Sequence, residues 1–105
     1  MKIPLPAGYA SATPFDRAKH KRLGIPSDAA KCASALNVIY ITTAEFPRAC
    51  HDYSIAFVRD GTGNVVPIIV TGLADGTNLY IDEQGVWVSD TYCPAFVRRY
   101  PFFTV

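Results

Sequence analysis

The amino-acid sequence predicts an α+β domain: a small antiparallel β-meander of four or five strands, with one or two short helices and an irregular, proline-rich N-terminal segment. The first observation is that residues 1–35 hold four prolines and little apolar periodicity, which is typical of extended, loop-rich chain. The second is that residues 36–105 alternate β-branched or aromatic runs with glycine-containing turns. The third is length, because 105 residues fit a single domain with its own core.

The predicted strands begin with "LNVIYIT", residues 36–42, which is rich in β-branched and aromatic residues. Three turn signals follow it, namely "DGTGN", "ADGT" and "DEQG". The apolar runs between these turns are predicted to form four further strands in an antiparallel meander, at residues 55–58, 65–70, 79–81 and 86–88.

Two details of the sheet can also be predicted. A four-residue turn at 82–85 sets Ile81 opposite Val86 and brings Tyr80 against Trp87, a cross-strand aromatic pair. Pro67 lacks a backbone donor, so its strand is predicted to lie at a sheet edge or to carry a bulge.

The helix prediction starts from "TTAEFPRACHDY", where Thr42 and Glu45 have the spacing of a capping box. Proline is tolerated only in the first turn of a helix, so the helix begins either at this box or at Pro47, and it ends near Tyr53.

Two other short helical segments are predicted. A turn of helix is expected near residues 28–35. Another short helix should start at Pro94, which suits a first turn, and end before Pro101.

Composition restricts the classes of function. The chain is 50% hydrophobic and 18% charged, which leaves apolar surface for a partner. Its net charge of +1 gives no general attraction for nucleic acid, and the basic run at 17–22 is interpreted as a solvated segment. Its three cysteines lack CxxC spacing, which favours a reducing compartment. No stretch approaches the roughly 18 apolar residues of a membrane helix, so the sequence predicts a soluble, cytoplasmic protein without cofactor.

Four segments together resemble the bacterial SapC family, named after a gene associated with surface-layer proteins. They are "LNVIYITTAEFPRACHDYSIAFVRD", "VPIIVTGL", "GTNLYIDEQGVW" and "YCPAFVRRYPFF", and they span residues 36–103. The resemblance implies a bacterial accessory protein of uncharacterised function, without an established activity to transfer. It also implies that this chain corresponds to the N-terminal half of such proteins, with the family's α+β domain at 36–105 after an irregular segment at 1–35.

The charged residues of the first helix suggest a structural network. Glu45, Arg48 and Asp52 are spaced i, i+3 and i+7, so a regular helix would place both carboxylates beside one guanidinium. We predict a salt-bridge network there.

A second set of residues suggests binding. Arginines among aromatic side chains can clamp an anion or supply the hot-spot chemistry of a protein interface. The candidate binding residues are Arg48, Arg98, Arg99, Tyr100, Trp87 and Phe96.

Catalytic and metal-binding chemistry find little support. Cys50 and His51 are adjacent, and neighbouring side chains point in different directions on a helix or a strand, so they rarely form a nucleophile and base. No local spacing of metal ligands exists. We predict neither catalytic residues nor a metal site.

The leading function hypothesis is a non-enzymatic accessory protein that binds a protein or peptide partner. The alternative is a small-ligand protein or enzyme that uses the arginine and carboxylate cluster around an anionic substrate. A third possibility is homo-oligomerisation through an open sheet edge at residues 65–70.

Overall fold

The structure, a computed structural model, describes residues 4–104 of the chain. Its centre is a three-stranded antiparallel sheet formed by β1 (Val38–Tyr40), β2 (Ile55–Arg59) and β3 (Val65–Val70). The spatial order β1-β3-β2 places β3 in the middle. The mixed α+β class is therefore confirmed, whereas the predicted sheet of four or five strands is not found among the described residues.

Pro67 lies in β3, the central strand, whose register with β2 is regular. The prediction that its strand lies at a sheet edge or carries a bulge is therefore wrong, and residues 65–70 offer no open edge for homo-oligomerisation. On the β2 side, the bond from Val70 N–H to Ser54 O (3.1 Å) implies that Phe57 and Pro67 form a pair without hydrogen bonds. On the β1 side, Pro67 accepts from Ile41 N–H (3.2 Å) just beyond the end of β1. The missing donor is thus tolerated because the ladder with β1 stops there.

The predicted last hairpin is reduced to a single bridge between Ile81 and Trp87. The predicted contact of Tyr80 with Trp87 is confirmed, since the two rings stack with centroids 6.0 Å apart and planes 14° apart. The register differs by one residue, because Ile81 was expected opposite Val86.

Asp82 explains this shift in register. Its Oδ1 accepts from the N–H groups of Gln84 and Val86, both at 2.9 Å. The Asp82 N–H itself donates to Val86 O, which closes a three-residue loop rather than a four-residue one. Gly85 has φ of +78°, a conformation that glycine adopts without strain.

The described chain also contains several short helical segments. They are α1 (Arg17–His20), a 3₁₀ turn at Ala29–Ala33, a second 3₁₀ turn at Thr43–Glu45 that continues into α2 (Phe46–Ala49), and α3 (Ala95–Arg98). None of the helices in residues 4–104 has the length and apolar character needed to cross a membrane.

The predicted capping box and the place of Pro47 in the first helical turn are both confirmed. α2 ends at Ala49, earlier than the predicted end near Tyr53. Ala49 O accepts from Asp52 N–H and Tyr53 N–H, which turns the chain towards β2.

The core lies between the inner sheet face and three of these segments, the 3₁₀ turn at Ala29–Ala33, α2 and α3. Its buried hydrophobic residues are Ala33, Ile39, Ile41, Ala49, Tyr53, Ile69, Trp87 and Val97. Tyr9, within the irregular N-terminal segment, packs on Tyr100 and Phe103 with centroid distances of 5.0 and 5.1 Å. The N-terminal segment therefore contacts the C-terminal end of the described chain.

Candidate functional site

A buried carboxylate, Glu45, joins the start of the first helix to the C-terminal segment. Only 8% of the residue is exposed. Its Oε2 accepts from the Thr42 N–H (2.7 Å), which is the bond that the glutamate of a capping box makes, and also from the Thr42 hydroxyl (3.1 Å). Its Oε1 accepts from the Tyr92 hydroxyl (2.7 Å) and from Ala95 N–H (2.8 Å), the first residue of α3. Glu45 therefore caps two helical segments that are far apart in sequence.

These hydrogen bonds determine the charge state of the pair. Burial raises the pKa of Glu45, but the hydrogen bonds from Ala95, Thr42 and Tyr92 outweigh burial and leave the pKa below its usual value. Burial, followed by the hydrogen bond to Glu45, raises the pKa of Tyr92. At neutral pH the carboxylate is ionised and the phenol is a donor.

A second network holds the same C-terminal segment. Trp87 Nε1–H donates to the Tyr53 hydroxyl (3.0 Å), which in turn donates to the Tyr92 carbonyl. Asp52 Oδ2 accepts from Tyr92 N–H (2.9 Å). Burial raises the pKa of Tyr53 to about 12, so this hydroxyl stays protonated at physiological pH.

The predicted network of Glu45, Arg48 and Asp52 is not the arrangement that the structure shows. α2 ends at Ala49, so Asp52 does not continue the helical face. Arg48 is exposed, and the described part of the chain contains no hydrogen bond from its guanidinium to either carboxylate. Both carboxylates instead accept from backbone N–H groups, and Glu45 also accepts from hydroxyls.

The predicted binding residues fall into two groups. Trp87 is only 8% exposed and lies in the core, and Tyr100 packs on Tyr9. Arg98 is exposed and donates to Cys93 O (2.9 Å) and to the Tyr92 hydroxyl (3.0 Å).

The second arginine of the pair is held differently. The guanidinium of Arg99 is exposed and lies 4.5 Å from the centroid of the Phe96 ring, a cation–π geometry. Arg98 and Arg99 therefore present charge to solvent on fixed aromatic supports.

A cavity of about 610 Å³ lies beside the first helix and includes Cys50, His51, Ser54 and Tyr80 in its lining. Cys50 Sγ donates to Pro47 O (3.5 Å), and no hydrogen bond among residues 4–104 joins it to His51. The described residues contain no group of three His, Cys, Asp or Glu side chains that could hold a metal ion. Cys50 and His51 therefore line the same cavity without a hydrogen bond between them.

The other two thiols are partly buried. Burial raises the pKa of Cys32, and it raises the pKa of Cys93 to about 11. Both thiols are therefore protonated at neutral pH, as is usual for cysteines that pack as small hydrophobic residues.

Sequence reasoning did not identify the outer face of the sheet as a site. Cross-strand partners share a face, and Ile39, Ile55 and Ile69 lie on the inner one. The alternate residues form the outer face, which we define as Val38, Tyr40, Ala56, Val58, Val66, Ile68 and Val70. All seven are apolar or aromatic. The signal in the sequence was β3 itself, which has no polar side chain on either face.

The outer face is shielded in part. Ile68, at its centre, is 3% exposed, and Ala56, Val66 and Val70 are half-buried. Tyr40 is 49% exposed, and Val38 and Val58 are also exposed. The solvent-exposed part of the outer face is therefore the apolar surface of Val38, Tyr40 and Val58 on its two edge strands.

The lowered pKa of Glu45 predicts a pH-dependent contribution to stability. Its unfolded-state pKa is about 4.3, so the unfolded chain binds more protons than the folded one in the window just below that value, and stability falls as pH falls. The difference in unfolding free energy between wild type and Glu45→Gln should be constant above about pH 5 and should shrink as pH falls through the folded-state pKa. Urea unfolding at several pH values measures it.

Other carboxylates titrate in both proteins, so their contributions cancel in this difference. A difference that stayed constant down to about pH 3, or that grew, would contradict the role of Glu45 as an ionised acceptor.

Comparison with known proteins gives one match. The family model described as SapC matches residues 15–105. No curated protein and no solved structure matches the chain significantly.

Proposed function

Because the chain belongs to the SapC family, whose model matches most of its length, we propose that it is a non-enzymatic accessory protein that works by binding a protein or peptide partner. The observation that supports this proposal is the outer face of the sheet, which is apolar and exposes Val38, Tyr40 and Val58 to solvent. Exposed apolar surface on a small domain is characteristic of an interaction site. Tyr40, half exposed on the edge strand β1, is the type of residue that dominates interface energetics.

A polypeptide partner suits this face better than a small ligand does. The face carries one polar side-chain atom, the Tyr40 hydroxyl, so a polar ligand would lose its hydration without gaining hydrogen bonds. The strand order also leaves the outward edges of β1 and β2 free of a further strand in the described chain. Backbone N–H and C=O groups at such edges pair with another backbone.

The exposed arginines Arg98 and Arg99 are a second region that we assign to partner contact, together with Arg48. Stacking on Tyr92 and Phe96 restricts the motion of Arg98 and Arg99, so less conformational entropy is lost when they bind an acidic group. The alternative, an anionic-substrate enzyme, has less support, because Glu45 and Asp52 already accept hydrogen bonds within the fold. The three free cysteines are in keeping with our proposal of a cytoplasmic location.

Site-specific photo-crosslinking tests the proposal. A photoreactive phenylalanine analogue placed at Tyr40 should form an adduct of defined polypeptide mass in cells, and the second substitution Val58→Lys on the same face should abolish it. The same analogue at Leu73, which is 95% exposed but outside this face, is the matched control. An adduct of twice the chain mass would assign the face to homo-oligomerisation.

Two outcomes would contradict the proposal. One is an adduct that forms equally well at both positions. The other is an adduct at Tyr40 that persists in the Val58→Lys variant, since that lysine places a charge in the middle of the apolar contact.

A further inference from the structure

A groove near the N-terminal segment concentrates exposed apolar side chains. It encloses about 660 Å³ between residues 13–25 and the Pro101–Phe102 turn. Leu23 is 72% exposed, and Phe15, Ile25 and Phe102 are each more than half exposed. Because these four side chains are mostly exposed, packing in the core does not account for apolar residues at these positions.

The groove nevertheless has a defined shape. The Phe15 ring stacks on His20 (5.6 Å, 28°) and contacts the edge of Phe102 (5.9 Å). Asp16 Oδ1 accepts from Ala18 N–H (2.8 Å), which fixes the start of α1, and His20 Nδ1 accepts from Asp16 N–H (2.9 Å). The apolar side chains therefore lie on a locally hydrogen-bonded segment.

Positive charge is concentrated in the same segment of the chain, and one of its cations, Lys21, lines the groove. Residues 13–25 contain four cations, Arg17, Lys19, Lys21 and Arg22, all of them exposed. Asp16 is the one acid in this range, so the segment carries four positive charges less one, or +3, against +1 for the whole chain. The Asp16 carboxylate faces its own backbone, which leaves the cations as the groups that an approaching partner meets.

We propose that this groove and its cations form a surface that binds peripherally to an anionic lipid membrane. Exposed Leu, Ile and Phe side chains can enter the boundary between headgroups and acyl chains, while flanking Lys and Arg contact anionic headgroups. The net positive charge of residues 13–25 favours an anionic membrane over a neutral one. This surface is separate from the outer sheet face, so the proposal does not depend on the proposed function.

Two other anionic partners fit the groove less well. A nucleic acid would leave Leu23 and Ile25 without a partner, since its phosphates and base edges are polar. An acidic peptide commonly binds by pairing its backbone with a free strand edge. Residues 13–25 contain no strand, so they offer no such edge.

Vesicle co-sedimentation of the full chain tests the proposal. The wild type should bind vesicles of mixed phosphatidylcholine and phosphatidylglycerol and should bind phosphatidylcholine vesicles much more weakly, with the difference reduced at high salt. Each cation near the surface contributes about fivefold to partitioning, so Lys19→Glu with Lys21→Glu should reduce binding by at least about 25-fold.

Apolar variants test insertion separately. Leu23→Ser with Ile25→Ser should weaken binding to the anionic vesicles by about tenfold or more. The control pair is Leu73→Ser with Leu79→Ser, which removes apolar side chains that lie outside the groove and are at least as exposed, and it should leave binding unchanged. Circular dichroism checks that each variant is folded, and we expect folding to be retained because the substituted side chains are exposed.

Three outcomes would overturn the proposal. The first is that the wild type binds neutral and anionic vesicles equally well. The second is that the groove variants and the control variants lose vesicle binding to the same extent. The third is that the chain binds a glutamate–leucine peptide through Lys19 and Lys21 but does not bind vesicles. The last result would assign the groove to an acidic protein partner. A Tyr40 variant that lost crosslinking but kept vesicle binding would show that the two surfaces act independently.

Discussion

Replacing Glu45 with alanine should lower the free energy of unfolding by about 3–5 kcal/mol. The substitution removes the acceptor for four hydrogen bonds and leaves Ala95 N–H, Thr42 N–H and the Tyr92 hydroxyl without their partner. A buried donor left unsatisfied costs about 1–3 kcal/mol. The measurement is urea unfolding followed by circular dichroism, with wild type and variant compared at neutral pH.

Two substitutions control this result. Glu83→Ala removes an exposed carboxylate from the loop of the Ile81–Trp87 bridge, and Arg48→Ala removes the exposed guanidinium of the predicted ion network. Each should change the unfolding free energy by no more than about 0.5 kcal/mol. An Arg48→Ala effect as large as that of Glu45→Ala would restore the salt-bridge network that the sequence predicts.

Replacing Trp87 with alanine should destabilise the fold by about 3–5 kcal/mol, the usual cost of removing a large aromatic side chain from a core. The substitution removes the ring that stacks on Tyr80 and the donor to the Tyr53 hydroxyl. Trp87→Phe should cost less because it keeps most of the apolar volume. Since the chain has one tryptophan, unfolding of these variants must be followed by circular dichroism.

The same experiment separates a structural role of Trp87 from the binding role that the sequence predicts. Leu73→Ala, at a position that is 95% exposed, is the matched control and should leave stability nearly unchanged. If Trp87→Ala kept wild-type stability and lost crosslinking at Tyr40, Trp87 would belong to the binding surface rather than to the core.

The features that could be predicted from the sequence are local ones. The capping box of Thr42 and Glu45 and the start of α3 after Pro94 depend on residues a few positions apart. The contact of Tyr80 with Trp87 could be predicted once the single turn between them had been recognised in the sequence. The register of that turn failed because the Asp82 carboxylate fixes a shorter loop, a side-chain effect that turn composition alone does not specify.

The features that could not be predicted depend on distant pairing. Nothing in the sequence of β1 shows that it pairs with β3 rather than with its neighbour in the chain, β2. The partners of Glu45 at Tyr92 and Ala95 lie 47 and 50 residues further along. A carboxylate spaced for an ion pair with Arg48 has the same sequence pattern whether it accepts from a guanidinium or from a remote backbone.

The two caps made by Glu45 affect when the protein can fold during synthesis. Thr42 leaves the ribosome with the first half of the chain, but Tyr92 and Ala95 follow only after all three strands have been made. Val97, which completes the core, is made later still. Because contacts between distant residues form slowly, the sheet of the nascent chain stays exposed at least until residues 92–97 have been made.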